Sequence, residues 1–163
     1  MKLEPIIVLR LQFLSRVVRK ECQHLITTDL RLFKEPFTLK RVAQLETDTD
    51  LAEQVEAFVG RFARLQDTVG DKLLPLLLRT LGEKTAAAVD NLNLAERLGF
   101  LHSVDDWMTM RNLRNQMVHE YIEDLAVLVN ALQIGHSYVP NLVIITANNM
   151  LAEIEQRDWI QHS

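Results

Sequence analysis

An all-α fold is predicted for this 163-residue chain, and three observations predict it. Glycine and proline are scarce, 5 and 4 in the whole sequence, so few positions favour turns or interrupt helices. Apolar residues recur at spacings of three and four over most of the length, the period of helices that each bury one face. The length suits one domain, residues 1–163, and no repeat, low-complexity tract or shift in composition marks a second. Together these predict a five-helix up-and-down bundle.

The first helix is expected from about Glu4 to Phe33, with Ile7, Leu11, Leu14, Val18, Cys22 and Leu25 on its buried face. Pro36 then marks a connection. Asp50, followed by Glu53, has the pattern of a helix cap, and the second helix should run from there to about Leu81. Its stripe is Phe58, Phe62, Leu65, Val69 and Leu73, with a kink expected at Pro75. A third helix fits "TAAAVDNLNLAERLG" and should end at Gly99. Ser103 and Asp106 form a capping-box pattern that opens the fourth helix, expected to reach about Leu132. "IGHSYVP" reads as a loop, and Asn141 to about Asp158 as the final helix.

Composition excludes several function classes. One cysteine, Cys22, rules out an internal disulfide and points to a cytoplasmic setting. The opening "MKLEPIIVLRLQF" is too short and too interrupted by charge for a signal peptide or a membrane span. The net charge of -4 argues against general nucleic-acid binding, yet it hides an asymmetry. Residues 1–41 hold nine Lys or Arg against four Asp or Glu, and the rest hold nine against eighteen. The excess sits largely at Arg10, Arg16, Arg19, Lys20 and Arg31, which is either a solvated face or a local track for phosphates.

The stretch "MRNLRNQMVHEY", Met110 to Tyr121, carries the chemistry. On a helical wheel Trp107, Met110, Leu113, Met117, Val118, Tyr121, Leu125 and Leu128 share one broad apolar side, and Arg114 falls inside it. Tyr121, seven residues on, nearly eclipses Arg114; Asn115 and His119, four apart, stack along the border and can hydrogen-bond. A guanidinium on an apolar face needs acceptors, and a carboxylate from another helix would satisfy it without any catalysis. A fixed cation, a group titrating near neutrality and a phenol at one rim are also what anionic-substrate chemistry requires.

"RNQMVHEY", Arg114 to Tyr121, resembles the R-x4-H-x-Y motif of the HEPN superfamily, with Asn115 at the polar position that commonly follows the arginine. Trp107, Arg111 and Asp124 resemble the surroundings of that motif in HepT-like toxins, and the late motif and the five-helix layout are similar too. The resemblance implies a HEPN-type bundle with the motif on the fourth helix, and a metal-independent RNA-cleaving toxin of a toxin-antitoxin pair acting as a homodimer with its motif helices facing. It further implies a minimal nucleotidyltransferase antitoxin that transfers AMP to Tyr121. Arg114 and His119 would be the catalytic pair and Asn115 an orienting residue. The alternative is a HEPN protein that holds a substrate or partner for a nucleotidyltransferase and cleaves nothing.

The chemistry fits independently. Without a metal, the ribose 2′-hydroxyl is the nucleophile, so protons must move and charge on the phosphate must be stabilised. Imidazole, with an ordinary pKa of about 6.5, does the first; the planar fork of arginine does the second. One chain offers one such histidine, and a symmetric dimer brings two, a base and an acid. The face with Trp107, Met110, Arg114 and Tyr121 is therefore expected at or beside a two-fold interface. His24, His102, His136 and His162 lie apart without metal-ligand spacing, so neither a metal nor a cofactor is expected. "HSY" at His136 to Tyr138 reads as a chance echo of the motif.

Overall fold

Helix α1 (Pro5–Leu32) is the spine of the computed structural model, which describes residues 3–119, 123–157 and 159. Pro5 occupies the first turn, where the missing N–H has no intrahelical partner to lose. Leu11, Leu14, Val18, Cys22 and Leu25 are buried as the stripe predicts, with Ile7 partly covered.

The connection that follows is more ordered than the sequence suggests. Thr38 caps a short helix, α2 (Leu39–Ala43), by accepting the Arg41 amide at 3.1 Å, and a 3-10 turn, Gln44–Glu46, continues it. Helix α3 (Thr49–Asp67) starts two residues before the expected position because Asp48, not Asp50, is the cap, its carboxylate accepting from the Leu51 amide at 3.0 Å. From α3 the chain passes without a break through a π-helical turn, Thr68–Leu73, into α4 (Leu74–Thr80). Pro75 accounts for that turn: it has no N–H for the carbonyl four residues back, and its ring crowds that carbonyl, so a widened turn relieves the clash. The predicted kink is thus a bulge just before the proline. Phe58, Phe62, Leu65, Val69 and Leu73 are all buried.

Gly82 (φ 80°) ends α4, with the Glu83 amide donating to the Leu78 carbonyl at 2.9 Å. Helix α5 (Ala88–Arg97) ends the same way at Gly99 (φ 84°), the position the sequence predicts. Helix α6 (Val104–His119) also begins as predicted, with Ser103 Oγ accepting from the Asp106 amide at 2.9 Å. The Asp106 carboxylate meets His102 Nδ1 at 2.9 Å.

The last third of the chain departs from expectation. Asp124 accepts from the amides of Ala126 and Val127 at 3.1 and 3.2 Å and starts a new helix, α7 (Leu125–Pro140), so the fourth helix does not run on to Leu132. "IGHSYVP" is no loop. It lies inside α7, which continues through a second π-helical turn, Asn141–Ala147, into α8 (Asn148–Gln156). Gly135 reads as a breaker but serves close packing, since a Cβ there would stand 3.4 Å from Met117 Sδ. Pro140 is the last residue of α7, and the second wide turn follows it. The five expected helices are six helical spans among the described residues, the addition being α2 with its 3-10 turn.

All regular structure among the described residues is helical, packed as one bundle. Helix α1 lies antiparallel to α3 and α4, joined by Thr28 to Arg61 and Glu21 to Thr68. On its other side it runs antiparallel to α7 and α8, joined by Asp29 to His136 and Arg19 to Glu155. Helix α6 packs across α3, and the fully buried Trp107, Phe37, Phe58 and Phe62 fill the centre. No described helix is long and apolar enough to cross a membrane.

Candidate functional site

Two opposite requirements shape α6. Trp107, Met110, Leu113 and Met117 recur at three and four spacing and are buried against the rest of the bundle. Trp107 and Met110 are 2% and 1% exposed, so this part of the face serves the chain's own core and is not open to a second copy as expected. The outward face carries Met108, Asn112, Asn115, Gln116 and His119, all exposed, and no carboxylate occurs between Trp107 and His119.

Arg114 stands at the boundary. Its Nη2 donates to Asp67 Oδ2 at 2.9 Å, across to the last residue of α3, and its Nη1 donates to Asn115 Oδ1 at 3.3 Å. The Arg114 Nε is buried and meets no acceptor among the described residues. The side chains of Arg114 and Asp67 are 27% and 42% exposed. A pair so open to water contributes about 0–1 kcal/mol, whereas a buried donor without a partner costs about 1–3 kcal/mol. Stability alone therefore does not account for an arginine at this point. The arrangement is nonetheless the interhelical carboxylate pair that the sequence offered as the alternative to catalysis.

The expected constellation is brought together in part. Arg114 and Asn115 touch, but the Asn115 oxygen faces the guanidinium, and no hydrogen bond joins Asn115 to His119 among the described residues. His119, the last residue of α6, is exposed on the outward face with Asn115. Tyr121 lies outside the described residues. Of the flanking positions, Asp124 has a structural duty as the cap of α7, and Arg111 is half-buried.

Two participants escape sequence reasoning. Asp67 lies 47 positions from Arg114, a separation with no local signature. His136, exposed on α7, has a partner that its place in "HSY" does not announce. Its Nδ1 lies 2.6 Å from Asp29 Oδ1, and its ring stacks on Phe33 at 4.1 Å. Burial pushes the Asp29 carboxyl above its ordinary value of 3.8, and the His136 contact pulls it part of the way back. Burial likewise raises Glu21 above 4.5, opposed by the hydrogen bond from Thr68. Among the described residues, no three His, Cys, Asp or Glu side chains converge as a metal site.

Comparison with protein-family models, curated proteins and solved structures finds no match to this chain.

Proposed function

We propose that the chain is a metal-independent endoribonuclease of the HepT-like kind, the toxin of a toxin-antitoxin pair, with Arg114 and His119 as its catalytic residues and Asn115 orienting the guanidinium. The observation that carries this reading is Arg114 held by Asp67 and Asn115 on the helix that also carries the exposed His119, with no carboxylate between Trp107 and His119. In a homodimer two such faces would meet. One His119 would take the proton from the ribose 2′-hydroxyl as its oxygen attacks phosphorus, and the other would protonate the departing 5′-oxygen. Arg114 would stabilise the extra charge on the phosphate oxygens, where its fork gives two-point contact. The cognate partner would be a nucleotidyltransferase that silences the toxin by adding AMP to Tyr121, whose bulk and charge would exclude an RNA phosphate.

The Asp67 pair favours a second reading, since it already occupies part of the guanidinium. In that reading the chain is a non-catalytic subunit that holds a substrate or partner for a nucleotidyltransferase.

RNA cleavage in EDTA separates the two. The wild type should cleave, and Arg114→Ala and His119→Ala should each lose about 100-fold or more while keeping the helical circular-dichroism signal. No cleavage by the wild type in any buffer selects the second reading; cleavage restored only by magnesium overturns the metal-free mechanism. Intact mass after co-expression with the nucleotidyltransferase should show added AMP, absent in Tyr121→Phe.

A further inference from the structure

Arg10 of α1, Lys72 of the first π-helical turn and Arg79 of α4 line one groove of about 290 Å³, floored by Leu14, Pro75 and Leu76. Of the basic residues that the sequence collects on the first helix, Arg19 is tied to Glu155, and Arg31 lines a different cleft with Asp50 and Glu53. Arg10 instead joins two cations from the antiparallel partner. None of the three is in an ion pair among the described residues, and the groove offers one carboxylate, Asp71. Three cations lining one concave site against one carboxylate leave a positive surplus, only partly offset by Glu21 within electrostatic reach of Lys72, and a bound anion would offset the rest. The surplus is notable in a chain of net charge -4.

Lys72 and Asp71 sit in the π-helical turn Thr68–Leu73 that Pro75 accounts for, and the wider winding of such a turn re-aims side chains that a regular helix would point elsewhere. The Thr85 hydroxyl adds a neutral donor at the rim. The volume lies at the small end of ligand sites, near about 300 Å³, room for a compact molecule with one flat apolar part.

We propose that this groove binds a small organic phosphate, with Arg10, Lys72 and Arg79 sharing the phosphate oxygens and Leu14, Pro75 and Leu76 covering the apolar part of the ligand. The site is separate from Arg114 and His119 and does not depend on the ribonuclease reading. Arginine supplies two-point contact to the oxygens and lysine a point charge, so binding weakens as salt rises.

Titration calorimetry with AMP and with inorganic phosphate as probes, on the full chain at low salt, tests this. AMP should bind, and Arg79→Gln and Lys72→Gln should each weaken it by about tenfold, the loss of one charge-assisted contact. Lys72→Arg should retain binding and Lys84→Gln, outside the groove, should leave it unchanged; unchanged circular dichroism in each variant guards against misfolding. Inorganic phosphate should bind more weakly than AMP. Equal affinity for the two probes overturns the part given to the apolar floor and assigns the groove to bare phosphate. No binding of either at millimolar concentration, or binding indifferent to the Arg79 and Lys72 substitutions, overturns the site.

Discussion

At the scale of single residues, burial and pairing pull the half-hidden carboxylates in opposite directions, and burial prevails. Asp29 shows it best. It is buried, its carboxyl is raised by desolvation, and the His136 ring opposes that rise from 2.6 Å while stacking on Phe33. A carboxyl whose folded pKa exceeds its unfolded one binds more protons in the native state just above 3.8, so its contribution grows as pH falls through that window. Asp29→Asn removes that gain. Urea unfolding at pH 7 and at about pH 4 should show the wild type improving relative to the variant at the lower pH, and an unchanged difference would contradict the assignment. Arg114 was legible as an arginine needing a partner, because its position on the wheel is local information. Asp67 was not, because nothing within a few residues of either reports a contact 47 positions away.

At the scale of elements, the cap at Ser103 and the stop at Gly99 read true, the cap expected at Asp50 lies at Asp48, and the loop expected at "IGHSYVP" is helix. Ser103 and Gly99 sit where the local rules place them, because a cap depends on only a handful of neighbouring atoms. Gly135 and Pro140 belong to the segment that reads as a loop, yet both lie inside one continuous helical run from α7 to α8. The true boundary is the Asp124 cap, hidden from sequence by the apolar residues on both sides that extend the wheel across it. Asp124→Ala should therefore destabilise the protein by about 1 kcal/mol, seen as a lower urea midpoint. A helix truly continuous from α6 would be indifferent to it.

At the scale of the whole molecule, the bundle buries Trp107, Met110, Leu113 and Met117 of α6 and leaves Val118 and an amide-rich face outside. The candidate site was legible as a cluster of residue types on one helix; the division of that helix between core and surface was not, since a wheel shows faces and not what covers them. Self-association through α6 would draw on its exposed residues, among them Met108, Asn112, Asn115, Gln116, Val118 and His119. Asn112→Glu sets like charges against each other across a two-fold axis and should shift the species in solution from dimer to monomer, measured by sedimentation. A wild type that sediments as a monomer at micromolar concentration removes the dimer from the proposed mechanism.

Gly70 lies in the π-helical turn, where a Cβ would come within 2.6 Å of Trp107 Cζ2. Its hydrogen works as a gauge block between two helices. Any larger residue there must hold α6 off, and Asp67, three positions earlier, is the anchor of the Arg114 guanidinium. The reach of that cation is thus calibrated by an atom that touches neither it nor its carboxylate.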